Sequence, residues 1–441
     1  MKYYSTNNKS QVVDLKEAVV QGLAPDNGLY MPEKINKFDA SYFEKIDQLS
    51  FQEIAYDVAD KFFGEDIEAE ALKSIVYDTL KFDCPVVPVN DNIWSLELFH
   101  GPTLAFKDVG ARFMARLLQY FLGKTEDQVN VLVATSGDTG SAVANGFLGV
   151  EGIHVHVLYP KGKVSEIQEK QFTTLGQNIT ALEVDGVFDD CQRLVKTAFL
   201  DKELNEQLVL TSANSINVAR FLPQAFYYFN AYARLKEAGK LDGKELVVAV
   251  PSGNFGNITA GLFAKEMGLP IKRFIAANNE NDIVFNYLNT GEYHPRASVE
   301  TIANAMDVGD PSNFARIFDL YDESHEAISS MMAGDRYSDE EIRTIVKRVF
   351  EDSNYLLDPH GACGYEALNK SLASNEIGVF LETAHPAKFT ETVEAIVGKG
   401  NVPLPEKLAK FMEGERKNIA LDKSFESFKA YLQGLFIYSF R

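Results

Sequence analysis

The sequence predicts an α/β protein built on parallel sheets, and two observations carry that prediction. From residue 129 onward, short β-branched runs alternate with helical patterns, and several of the runs pass through a glycine-bearing turn into a helix. Those runs are apolar throughout rather than alternating apolar and polar, the pattern of strands covered on both faces. With 441 residues and 46% apolar content, the chain exceeds one ordinary core and should divide into two or three domains.

Taken in order, residues 1–92 read as a separate N-terminal module. They combine "LAPDNGLYMPE", the aromatic-rich helical "FQEIAYDVADKFF" and the start of the extended "FDCPVVPVNDNIWSLELF". Next, "ELFHGPTLAFKDVGARFMARLLQYF" sets Lys107 between an apolar turn and the first turn of an amphipathic helix. "QVNVLVATSGDTGSAVANGFLG" reads as strand, tight turn, helix, and "IHVHVLYPKGKVSEIQEKQF" repeats the arrangement with Ser165 and Gln168 spaced as a capping box. "ELVVAVPSGNFGNITAGLFAKEMG" does so again, followed by the strand-like "IKRFIAAN" and "EIGVFLETAHP". The mixed charge within residues 292–355 reads as solvated helix faces.

Composition narrows the function. A formal charge of −20 repels nucleic acid and anionic membranes, over roughly 8 Å at physiological salt, so small-molecule partners are expected. No stretch approaches the roughly 18 apolar residues of a membrane span, and the first twenty residues lack a secretory h-region, which makes the cytoplasm the expected location. Cys84, Cys191 and Cys363 are widely spaced and odd in number, so reduced thiols are expected rather than disulfides or a zinc site. His154 and His156 alternate on one strand without a third ligand at suitable spacing, and no metal is predicted.

Two loops have the makings of anion sites. In "PSGNFGN", residues 251–257, Gly253 and Gly256 allow unusual φ and close approach, so N–H groups can converge on a phosphate at a helix start. In "ATSGDTGSA", residues 134–142, Thr135, Ser136, Thr139 and Ser141 surround Gly137 and Gly140, a donor-rich turn suited to a carboxylate or second phosphate. Each loop alone is also an ordinary turn, with Ser136 or Asp138 as helix cap. A lysine at a helix start among apolar neighbours has a depressed pKa and becomes an imine-forming nucleophile and then a base. Such an amine beside a phosphate cradle is what pyridoxal-phosphate chemistry requires.

"HGPTLAFKD", "ATSGDTGSA", "PSGNFGN" and "LETAHPAKF", in that order, together with "PDNGLYMPE", resemble the threonine synthase family of fold type II pyridoxal-phosphate enzymes over nearly the whole chain. The resemblance implies two parallel-sheet α/β domains with the site between them, drawn here at 93–230 and 231–441 with segments free to interchange. It implies that Lys107 holds pyridoxal 5'-phosphate covalently and serves as mobile acid and base. Gly253, Asn254, Phe255, Gly256 and Asn257 would bind the cofactor phosphate, and Thr383 would meet the pyridine nitrogen. Asp138 stands where relatives often carry Asn beside the cofactor's 3'-oxygen, a place where a carboxylate would be repelled; helix capping is its other reading.

The implied reaction converts O-phospho-L-homoserine and water to L-threonine and phosphate. Thr135, Ser136 and Thr139 would take the substrate carboxylate, and Ser215, Asn217, Arg220 and Lys388 its phosphate. His360 and His385 are candidates to border the site or to serve as hydrogen-bonded structural residues. Two other readings stay open: a serine or threonine dehydratase on the same fold, and a non-catalytic protein that binds a phosphorylated metabolite. Monomer and homodimer are both compatible with the family.

Overall fold

The computed structural model describes residues 1–123 and 128–439. Its architecture is α/β, with two largely parallel sheets and a small antiparallel one. The antiparallel sheet is N-terminal and places Lys2–Ser5 between Asn8–Asp14 and Tyr30–Pro32. Helix Phe51–Phe63 follows, begun by the capping box of Ser50 and Glu53 and burying Ile54, Val58 and Phe62 along one face.

A five-stranded sheet runs Ile419–Leu421, Ile179–Val184, Ile153–Pro160, Val129–Ala134, Val209–Ser212, with all neighbours parallel. A six-stranded sheet runs Met332–Arg336, Ile271–Asn278, Glu245–Pro251, Glu376–Glu382, Ile93–Glu97, Val86–Pro88, parallel except for its last pair. Every residue of Val129–Ala134 and of Glu376–Glu382 is buried, as continuous apolar central strands require.

The sheets exchange chain segments. Ile93–Glu97, expected in the first of the two large domains, pairs with Glu376–Glu382 in the six-stranded sheet, and Val86–Pro88 of the expected N-terminal module joins the same edge. Conversely, Ile419–Leu421, from the C-terminal end, extends the five-stranded sheet. Sequence pattern reports that a segment is a strand and whether it is buried, but carries no register or partner, so borders drawn along the chain miss such exchanges. The loops after Val129–Ala134, Glu245–Pro251 and Glu376–Glu382 leave carboxyl ends of parallel strands, where open α/β sheets bind ligands.

Arg316 ties the N-terminal module to this body. Fully buried, it donates to Tyr30 O at 3.1 and 3.2 Å, to Ser215 O at 3.1 Å, to Ile216 O at 2.5 Å and to Asn313 Oδ1 at 2.6 Å, and its guanidinium lies 4.1 Å from the Phe221 ring centroid. Burial lowers its pKa to about 9. Arg316→Met fills much of the volume but strands those buried carbonyls, so it should lower unfolding free energy by on the order of 3 kcal/mol. Urea denaturation monitored by circular dichroism checks this, and an unchanged midpoint would contradict it.

Candidate active site

Lys107 opens helix Lys107–Leu122, and the turn before it is set by Leu104, a non-glycine residue at φ 58°. Main-chain hydrogen bonds zip this turn to the segment after Glu376–Glu382. Phe106 N–H donates to Thr383 O at 2.8 Å, and His385 N–H donates to Leu104 O at 3.0 Å. Thr383 thereby comes to the same cavity as Lys107 although 276 positions separate them (383 − 107).

That cavity is lined by Lys107, Phe106, Ser136, Thr139, Asn214, Ser215, Arg220, Gln224, the whole of Gly253–Asn257, His360 and Thr383, with Ala305–Val308 closing one side. Lys107 keeps accessible surface only in part. Burial, then the charges of Arg220 and Lys388, lower its pKa to about 8, and Asp138 opposes them.

The 251–257 loop is built as an anion cradle. Asn257 braces it through Nδ2 to Pro251 O at 2.8 Å and through Oδ1, which accepts from Ile258 N–H at 2.9 Å. Asn254 Oδ1 accepts from Ser312 N–H at 2.7 Å, while its Nδ2 donates to Ser215 Oγ at 2.9 Å. Among the described residues, none of the main-chain N–H groups of Gly253, Asn254, Phe255, Gly256 and Asn257 donates to a protein acceptor. Converging free donors at the start of helix Gly256–Glu266 fit a phosphate.

The sequence expectation about this loop is corrected in one respect. Neither glycine has positive φ; the left-handed residue is Phe255, at φ 61°. Gly253 is required by close approach, because a Cβ there would lie 2.7 Å from Ala305 O and 2.9 Å from Met306 Cα.

The second loop behaves alike. Thr135 Oγ1 accepts from Gly137 N–H at 2.9 Å and Gly140 N–H at 2.8 Å, which shapes the turn and leaves the N–H groups of Ser136, Asp138 and Thr139 without protein acceptors among the described residues. Ser136 and Thr139 face the cavity; Thr135 is a brace and does not line it.

Three further candidates are likewise placed elsewhere. Lys388, expected at a phosphate, is fully buried, with its ammonium 2.5 Å from Asp138 Oδ1 and 2.9 Å from Thr103 O, and it does not line the cavity. Its partner lies 250 positions away (388 − 138), where local pattern does not disclose it. Asp138 points at Lys388 and takes a hydrogen bond from Gln168 Nε2 at 2.8 Å. Burial opposes its ionisation, but Lys388 and then Lys107 outweigh burial and hold it below the usual carboxylate range, so the anticipated repulsion meets a compensated charge. Asn217 caps the short helix Val218–Phe221 and donates to Val19 O at 2.9 Å, a structural role.

Arg220 does reach the cavity. It is buried, one Nη1 donates to Ala213 O, and its Nε has no partner among the described residues. Burial lowers its pKa to about 10 while Asp108 raises it. A buried guanidinium that lines a cavity is suited to an anion. His385 is structural: its Nδ1 accepts from Ala387 N–H at 3.1 Å, and burial lowers its pKa to about 4. His156 bonds Tyr431 and Asn130, which accounts for its burial. Asn214, Gln224 and Ala305–Val308 were missed; Asn214 directly precedes the candidate Ser215, whereas nothing in the local pattern of 305–308 marks it.

Comparison with known proteins identifies the relatives of this chain. A model of pyridoxal-phosphate dependent enzymes matches residues 82–379, a model of the threonine synthase N terminus matches 2–80, and a threonine synthase C-terminal model matches 361–432. A threonine synthase from Serratia marcescens is 44% identical over 99% of this chain and 100% of its own. The solved threonine synthase of Escherichia coli superposes with a TM-score of 0.93 at 41% identity over 99% of this chain and all of that one. A pyridoxal-phosphate-bound threonine synthase from Brucella melitensis gives 0.90 at 36%, covering 98% of this chain and 99% of that one. Maize serine racemase, at 16% identity, TM-score 0.52 and coverage of 71% of this chain and 92% of that one, shares the fold alone.

The lowered pKa of Lys107 has a direct readout. Modification of Lys107 by a small amine-selective reagent, followed by mass spectrometry across pH, should rise about tenfold per pH unit and level near pH 8. A midpoint near the ordinary 10.5 would contradict the site's electrostatics.

Proposed function

The chain belongs to the threonine synthase family of pyridoxal-phosphate-dependent lyases, and from that premise we propose how its own residues convert O-phospho-L-homoserine and water to L-threonine and phosphate. The observation that carries the residue assignment is the convergence, in one cavity, of Lys107, five N–H groups at 253–257 that donate to no protein acceptor among the described residues, and the buried Arg220. The free donors fit the phosphate of pyridoxal 5'-phosphate, with Lys107 as covalent anchor and the Thr383 hydroxyl at the ring nitrogen. When bound, the cofactor supplies a conjugated ring that delocalises the electron pair left at the substrate's Cα.

In our reading, the unpaired amides of Ser136, Asp138 and Thr139 hold the substrate carboxylate, which fixes the Cα–H bond toward Lys107. Lys107, half uncharged near pH 8, removes the Cα proton and then one Cβ proton as the phosphate leaves Cγ with its bonding electrons; a proton returns to Cγ, water adds its hydroxyl at Cβ, and Cα regains a proton. Arg220, with Ser215 beside it, grips the phosphate. Gln168 and Lys388 keep Asp138 turned away from the reacting atoms. The charge of −20 supports small molecules rather than nucleic acid as partners, and three buried free thiols fit the cytoplasm. No helix among the described residues is long and apolar enough to cross a membrane.

Incubation with O-phospho-L-homoserine, assayed for both threonine and phosphate, tests the reading. Wild type should release the two in equal amounts, and Lys107→Ala should lose turnover by about three orders of magnitude or more. Oxoacid from serine without phosphate release would favour a dehydratase. Arg220→Gln should raise KM for the phosphorylated substrate at least about tenfold, as loss of a charge-assisted contact predicts.

A further inference from the structure

Behind Thr383 the cavity wall contains a cluster of carboxyls that the mechanism does not use. Glu382 ends the strand Glu376–Glu382, Asp358 caps helix Pro359–Ser371, and both are fully buried. The helix packs so closely on the strand that a Cβ at Gly361 would fall 1.6 Å from Glu382 Oε2. Asp358 N–H donates to Glu382 Oε1 at 2.6 Å. Asp358 Oδ1 meets His360 N–H at 2.5 Å and His360 Nδ1 at 2.6 Å, and across the ring His360 Nε2 accepts from Ala305 N–H at 3.1 Å.

This geometry dictates where the protons are. A ring nitrogen that accepts an N–H carries no proton, so Nε2 is bare, Nδ1–H donates to Asp358, and the imidazole is neutral. The neutral ring leaves two adjacent carboxyls without a bonded cation, and ionising both would combine desolvation with repulsion. Burial and then the charge of Asp358 push Glu382 well above the usual carboxyl range. Within this cluster Asp358 Oδ2 and Glu382 Oε2 are buried oxygens without partners among the described residues, and one proton shared between the side chains satisfies both.

The other end of the chain touches the anion cradle. Ala305 belongs to the turn Asn304–Met306, whose backbone presses on Gly253 at the distances that forbid a Cβ there. We propose that Glu382, Asp358 and His360 form a proton-sharing chain carrying one negative charge, through which His360 acts as a positioning residue that holds Asn304–Met306 against the phosphate loop. The positioning half rests on the reading that this loop holds pyridoxal phosphate; the proton assignment does not.

Two measurements on the full-length chain, stripped of cofactor, test this. Ring ¹⁵N NMR, with His360 assigned through its contact with the Phe389 ring, should give a neutral Nδ1–H tautomer; a charged ring or an Nε2–H tautomer overturns the proposal. Titration with pyridoxal phosphate should leave Glu382→Gln within about threefold of wild type, because the amide keeps the Oε1 acceptor and presents an N–H where the shared proton lay. Glu382→Leu and His360→Phe should each weaken binding about tenfold, since a buried donor loses its partner. Equal losses for Glu382→Gln and Glu382→Leu, or wild-type affinity for His360→Phe, overturn it. If wild type gave the expected tautomer yet bound no pyridoxal phosphate, the reading of the cavity would fall and the proton chain would stand. The wild-type spectrum needs no variant, so a misfolded substitution leaves the test intact.

Discussion

One primary amine must be kept where its charged form is costly, and the site is arranged around that constraint. Lys107 sits among protein atoms and near two cations, which brings its pKa to about 8. Of those cations, Lys388 is bound to Asp138, so the fields of that pair largely cancel at a distance. Burial and Arg220 then dominate. A cavity that lowers the pKa of an amine also favours anions, and free amides and Arg220 share the same walls.

Placing the amine there stores backbone strain. Leu104 and Phe255 both adopt left-handed φ, at a cost on the order of 1 kcal/mol or more for a side chain with a Cβ. Surrounding bonds over-determine each conformation. His385 N–H binds Leu104 O, and Thr259 N–H and Oγ1 both bind Phe255 O, at 3.1 and 2.6 Å. The strained residues stand in the turn before Lys107 and inside the 253–257 loop, where the rest of the fold holds them.

What the sequence disclosed was local. Strand, turn and helix leave their mark within a dozen residues, so the glycine loops, the capped helix starts and Lys107 at its helix N-terminus were all readable. The Ser165–Gln168 cap appears as expected, Ser165 Oγ accepting from Gln168 N–H at 3.3 Å, yet the Gln168 amide also turns to Asp138, a use the spacing does not encode. Hidden from sequence were contacts closed by tertiary folding. The Asp138–Lys388 pair, the Asp358–His360–Ala305 relay and the seating of Ile93–Glu97 beside Glu376–Glu382 join residues tens to hundreds of positions apart. The glycines of the 253–257 loop were expected to supply both close approach and unusual φ: composition reveals that a backbone must come close or bend, but only coordinates separate the two, and here Gly253 supplies the approach and Phe255 the bend.

The central claim is that the Lys107 amine is the covalent anchor of the cofactor. Borohydride reduction of the cofactor-loaded protein, followed by peptide mapping, addresses it without reference to turnover. The account predicts a stable pyridoxyl label on the peptide containing Lys107 and on no other lysine; a label on a different side chain, or none, would contradict it.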